Sequence, residues 1–172
     1  MRWSQLKSRI ESRFIDDARG RVEIFETLYR HDYAYRIGEF WITLDKVRIF
    51  SSGEPSAYKV ICEHERNIQS DEIARSDSYG QAVDRAEREG HFWTASINKS
   101  LFASLSMSID DMFSSPNPVL RGLALIDSRF GVRRLNKLEQ EYINDEHEFV
   151  EAMLNFRTSM QRKVGRDEIP PA

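Results

Sequence analysis

Arg121, Arg129, Arg133 and Arg134 crowd the stretch "NPVLRGLALIDSRFGVRRL", residues 117–135, around a single acid, Asp127. Guanidinium groups gathered in this way can hold a phosphate, a carboxylate or an acidic partner, because each offers a planar fork of donors. These four arginines are the candidate residues for binding an anion or a partner. At about 100° per residue on a helix, Val119, Leu120, Leu123, Ile126 and Phe130 fall in one sector, and Asp127 falls among them. A carboxylate on an apolar face is costly unless it is paired. Asp127 is therefore expected to form a structural ion pair, with Arg133 or Arg134 folding back from the following turn and with Arg121 and Arg129 on the outer side.

A second constellation interleaves aromatic rings with cations: Tyr29, Arg30, His31, Tyr33, Tyr35, Arg36 and Trp41 in "YRHDYAYRIGEFW". Single-stranded nucleic acid uses such a mixture, since bases stack on rings while phosphates meet arginines. Covering a sheet face is the commoner use of such aromatics. Catalytic signals are poorer. Ser96 and Lys99 have the spacing of a serine–lysine pair but lack its partner motifs, and Cys62 and His64 would point apart on a helix. His147 and Glu151 share a helix face and supply at most half a metal site. No phosphate-binding loop, nucleophile elbow, HExxH or dinucleotide fingerprint occurs, so neither cofactor nor metal is expected and no catalytic residue is assigned.

The elements that must position these residues follow from spacing. Trp3, Leu6, Ile10 and Phe14 mark one helix face that Ser4 can cap. Residues 20–52 read as a small antiparallel meander of about three strands, with a tight turn at Asp45-Lys46. If Leu44 pairs with Val47, Ile42 faces Ile49 and Trp41 pairs with Phe50, which makes both hairpin faces apolar and both covered. Helical spacing then dominates. Pro55 opens a helix with Tyr58, Ile61, Cys62 and Ile68 on one side, and Ala82, Val83 and Ala86 line another that Gly90 ends in a left-handed cap. Trp93, Ile97, Leu101 and Leu105 recur at four-residue intervals, and Ser108 to Asp111 resembles a capping box. Asn117 and Pro118 start the helix of the opening stretch, Gly131 is placed to stop it, and Phe149, Val150, Met153, Leu154 and Phe156 define a last helix beyond a basic turn. The expected fold is α+β, with the sheet packed against an N-terminal helix and a larger C-terminal set of helices, in one domain over residues 1–165 and a flexible tail over 166–172.

Composition narrows the setting. The 172 residues are 40% apolar and include one cysteine, so no internal disulfide framework exists and a cytoplasmic location is expected. No apolar run approaches a bilayer span, and the opening residues lack the unbroken apolar stretch of a signal peptide. Net charge is −3, but it is uneven: residues 118–138 carry five basic and one acidic residue, whereas 54–117 carry six basic and eleven acidic. An acidic protein is a poor general binder of polyanions, which favours protein over nucleic acid as partner.

The segments "RWSQLK", "GRV", "WITLD" and "SIDDMFSSPNPVLRGLALIDSRFGVRRL" resemble a family of small uncharacterised bacterial proteins over residues 2 to about 138. Two departures stand out: Lys46 and Gly122 occupy positions where that family typically has Gly and Ala. The resemblance implies a fold and a bacterial cytoplasmic origin, and carries over no catalytic residue. The sequence is best read as a noncatalytic cytoplasmic binding protein, immunity-like or regulatory, that acts on a protein partner. The alternatives are a nucleic-acid-associated regulator using the arginine cluster, and an enzyme of unrecognised type acting on a phosphate-bearing substrate.

Overall fold

Alternating β-branched and aromatic residues form three strands, β1 (Val22–Arg30), β2 (Arg36–Leu44) and β3 (Val47–Gly53), in one antiparallel sheet of order β1-β2-β3. A computed structural model describes residues 1–30, 36–69, 77–141 and 147–167, with side chains except at 29, 30, 36, 69, 139–141 and 162–167. Around the sheet lie α1 (Trp3–Glu11), α2 (Glu54–Gln69), α3 (Ser78–Arg88), α4 (Thr94–Ser104), α5 (Ile109–Phe113), α6 (Pro118–Ile126), α7 (Val132–Glu141) and α8 (Glu148–Asp167). The architecture is the expected α+β arrangement.

The β2–β3 turn falls at Asp45-Lys46, as expected, with both residues left-handed at φ 50° and 68°. This is the sense of turn that matches the twist of a hairpin. Arg21 steadies it, donating to both Asp45 oxygens at 2.7 and 2.6 Å. Leu44 pairs with Val47, but Ile42 lies opposite Phe50 and Trp41 opposite Ser51. A bulge between Ile42 and Thr43 leaves Ile49 as the extra residue. That one-residue slip turns Phe50 inward, where Ile24, Phe40 and Ile42 are also buried. The outer face is only partly covered, contrary to the expectation from its apolar residues: Phe25 and Trp41 are half-buried there.

Capping residues fix several helix ends where the sequence places them. Ser108 Oγ accepts from Asp111 N–H at the start of α5, and Asn117 Oδ1 accepts from Val119 N–H at 2.9 Å at the start of α6. Gly90 is left-handed at φ 88°. Three ends differ. Arg2, not Ser4, is the N-cap of α1, and its N–H is met by Gln5 Oε1. Helix α6 stops at Ile126 rather than near Gly131, and the expected basic turn is itself a helix, α7, whose first turn closes on the Gly131 carbonyl. Helix α8 continues to Asp167, into the stretch expected to be a flexible tail; residues 168–172 of that tail lie outside the described residues.

The main core joins the inner sheet face to α1, α4, α6 and α8, and Phe149 of α8 lies 5.3 Å from Phe50, centroid to centroid. A smaller cluster of Ala57, Ile61, Ala82 and Ala86 holds α2 to α3. Tyr58, expected beside Ile61 on the inner side, faces outward instead. His64 Nε2 of α2 lies 2.7 Å from Glu89 Oε2 at the end of α3, and Arg85 reaches the other oxygen. Burial pushes the Glu89 carboxyl up, but His64 and Arg85 outweigh it and hold the group below its ordinary range.

Substitutions at Lys46 and Gly122 have opposite expected consequences. Lys46→Gly relieves a left-handed side chain and is expected to stabilise by about 1 kcal/mol, read as a higher denaturant midpoint. Gly122→Ala gains about 1 kcal/mol of helix propensity. However, a Cβ there would overlap the buried Phe149 ring, and overpacking costs roughly 1–3 kcal/mol. Gly122→Ala is therefore expected to lower the midpoint, and Phe149→Leu in the same chain to recover part of the loss.

Candidate functional site

Asp127 leaves α6 in an extended conformation, because its backbone is claimed by another segment. It forms an isolated antiparallel bridge with Phe14: Ile15 N–H donates to the Ile126 carbonyl at 2.9 Å, and Ser128 N–H to the Arg13 carbonyl at 2.7 Å. Its side chain, only 3% exposed as a residue, turns inward. Asp127 Oδ1 accepts from Arg129 N–H at 2.9 Å and Arg129 Nε at 3.0 Å, and Oδ2 accepts from Arg129 Nη2 at 2.7 Å. The partner is thus Arg129, not Arg133 or Arg134. Once the helix ends at Ile126, residue 129 no longer follows the helical wheel, and a tight turn brings it back over the carboxylate.

The same guanidinium reaches the turn that follows α4. Arg129 Nη1 donates to the Met107 carbonyl at 2.9 Å, while Arg13 donates to the Ser104 and Leu105 carbonyls at 3.1 and 2.6 Å. The last carbonyls of a helix have no partner of their own and carry its negative end, so two cations here satisfy both needs. Burial opposes the charge on Arg129, but its hydrogen bonds to Asp127 dominate and raise its pKa further.

Two of the remaining arginines are also engaged. Arg121 donates to the Ser115 and Pro116 carbonyls at 2.9 and 3.1 Å, closing the turn before α6. Arg134 pairs with Asp110 at 3.0 Å, joining α7 to α5. Arg133 is exposed on α7. The structure therefore separates the four arginines into three that tie loops and one that faces outward, and it does not gather them around a common pocket.

On the outer sheet face, Trp41 stacks on Phe25 at 5.3 Å and 11°. Lys7 sits 4.3 Å over the far face of this pair at Phe25, and Arg48 sits 4.8 Å over Trp41. Each cation also has an acid, Glu11 for Lys7 and Glu39 for Arg48. Tyr29 and Arg30 end β1 and Arg36 begins β2, with Arg30 opposite Arg36. Their side chains, and all of His31, Tyr33 and Tyr35, lie outside the described residues. Cys62 is half-buried on α2, one turn from Tyr58, while His64 turns to Glu89. Ser96 is half-buried and Lys99 exposed on α4. His147 Nδ1 accepts from Phe149 N–H at 3.2 Å, which makes it a cap for α8. Among the described residues no group of three or more His, Cys, Asp or Glu is placed to hold a metal.

The structure adds two groups that motif reading passed over. Tyr58 and Tyr79 stand exposed on the α2–α3 arm, and Glu26 and Glu54 meet α4 along one of its sides. Alternation along "VEIFE" places Glu26 with Val22 and Ile24, a legible signal for an inward acid. Nothing local marks Glu54.

Comparison with known proteins matches residues 2–158 to the SF0329 protein family. The chain belongs to that family. The SF0329 match includes the Asp127 bridge, the four arginines and both exposed tyrosines, and it reaches well into α8. No curated protein and no solved structure matches the chain. No helix among the described residues is long and apolar enough to cross a membrane.

Asp127→Asn keeps the acceptor for Arg129 N–H but removes the charge under the guanidinium, and is expected to cost roughly 1–3 kcal/mol in a denaturant titration. Arg121→Ala should cost less, since its two carbonyl partners are near solvent, but more than zero. An unchanged midpoint for Asp127→Asn would show that the ion pair is not a structural tie.

Proposed function

We propose that the protein is a noncatalytic binding protein of the bacterial cytoplasm, with an immunity-like or regulatory role, that docks a basic protein partner on its α2–α3 arm. The observation that carries this reading is a pair of large aromatic side chains left in solvent: Tyr58 is 60% and Tyr79 51% exposed. Tyrosine combines an apolar ring with a polar tip and loses little conformational freedom on docking, which is why it concentrates at the centres of interfaces. Trp93 lies 6.4 Å from the Tyr58 ring and extends the aromatic surface. The neighbouring Cys62 side chain, above all, raises the pKa of the Tyr58 hydroxyl.

Charge selects the class of partner. Glu63, Asp77 and Asp84 are exposed on the arm beside Lys59, Arg66, Arg85 and Arg88, and over residues 54–117 eleven acids outnumber six basic residues. A basic surface would be drawn to it and steered on approach. Two features count against nucleic acid as the main ligand. Arg121, Arg129 and Arg134 already donate to carbonyls or acids. The Phe25–Trp41 stack already has a cation on each outer ring face, leaving no free ring face for a base.

The test is retention of host proteins on the immobilised chain, identified by mass spectrometry and compared between wild type and a Tyr58→Ala/Tyr79→Ala variant. One basic protein should be held stoichiometrically by wild type and by Arg133→Ala, and its affinity should fall roughly tenfold or more in the double variant. Exposed tyrosines contribute little to folding, so the variant's stability should change by no more than about 0.5 kcal/mol. Equal retention by the double variant, an acidic partner, or nucleic acid in place of protein would overturn the reading.

A further inference from the structure

Glu26 projects from the helix-facing side of β1 and meets Asn98 of α4, whose Nδ2 donates to Glu26 Oε1. One turn earlier on the same helix, Thr94 donates to Glu54 through its backbone N–H at 3.1 Å and its hydroxyl at 2.7 Å. A third donor, Gly38 N–H of β2, reaches Glu54 at 2.6 Å. Gly38 has no room for a side chain, because a Cβ would strike Thr94 and Leu28. The sheet and α4 are therefore pressed together where two acids meet.

Among the described side chains no cation faces these acids. From β2 the facing residues are Gly38 and Phe40, with Arg36 at the next register position of the same face, and from α4 they are the neutral Thr94 and Asn98. Lys7 and Glu11 of α1 pair with each other at 3.4 Å beside the strand, and Lys99 of α4 is exposed. Among the described residues no ion pair forms to either Glu26 or Glu54.

The hydrogen bonds distinguish the two carboxyls. Glu54 accepts from three donors. Glu26 accepts from one, and beside it Asn98 Oδ1 is buried with no partner. A protonated Glu26 would complete that arrangement, with Asn98 Nδ2 donating to Oε1 and the Oε2 hydroxyl donating to Asn98 Oδ1, a closed acid–amide pair. Burial raises the Glu26 pKa, the Asn98 hydrogen bond opposes it, and the charge of Glu54 raises it further, with the net direction upward.

We propose that this seam is a proton-operated joint: Glu26 takes up a proton against Asn98 beside the donor-satisfied Glu54, and loss of that proton loosens α4 from the sheet. The joint sits at the base of the proposed docking arm, because α2 begins at Glu54 and Trp93, next to Thr94, packs on Tyr58. It does not depend on that docking role and can be tested without a partner.

A carboxyl whose pKa is higher folded than unfolded adds stability below its unfolded value and loses that contribution as pH rises through its folded value. Denaturant midpoints between pH 4.5 and 8 should therefore show a component that falls with rising pH, by up to about tenfold in the folding equilibrium per pH unit. Glu26→Gln retains a reciprocal amide pair with Asn98 and should remove that component. Carbon-13 titration of the Glu26 carboxyl in the wild-type protein gives a second readout that needs no variant, and should place its pKa above that of an ordinary glutamate. A Glu26 that titrates like an exposed glutamate, or a Glu26→Gln variant that keeps the whole slope, would overturn the joint.

Discussion

The buried carboxylate of Asp127 imposes a condition that several distant segments meet together. An ionised group cannot remain in the interior without a partner. Arg129 supplies one through both side-chain oxygens and the backbone N–H. Because Asp127 must also leave α6 to bridge Phe14, the chain after α1 is fixed against the end of α6. The other donors of Arg129 and Arg13 then hold the end of α4 and the turn after it. Three segments far apart in sequence thus meet around one ion pair.

This view changes the meaning of a basic run. Arginines close together in sequence suggest an electropositive patch, but a guanidinium has several donors and buried turns contain unpaired carbonyls. Arg13, Arg121 and Arg129 all donate to backbone carbonyls at helix ends or turns. Their charges are spent inside the fold. The outward-facing chemistry lies elsewhere, on the tyrosine-bearing arm and at the Glu26–Glu54 seam.

Three acids of this protein follow one rule with three solutions. Asp127 is neutralised by a cation that the chain brings to it. Glu54, at the start of α2, is met by neutral donors from β2 and α4 instead. Glu26, one turn of α4 away, has one donor and no cation among the described side chains, and the proposed proton would lower its cost.

Much of this organisation is legible in the sequence because it rests on local rules. Period-two alternation gives the strands, Asn117-Pro118 and Ser108 give two helix starts, and the isolated acid among leucines in 117–135 announces a buried tie. What the sequence could not decide was how segments meet. The bulge that turns Phe50 inward, the choice of Arg129 over Arg133 or Arg134, and the early end of α6 each depend on a partner strand or loop far along the chain. The same holds for Gly122, which reads as a weak helix residue until the ring of Phe149 is seen to occupy the space of its missing side chain. Periodicity and capping act over a few residues and are written locally. The pairing of charges and the exclusion of volume act between residues that only the tertiary fold brings together.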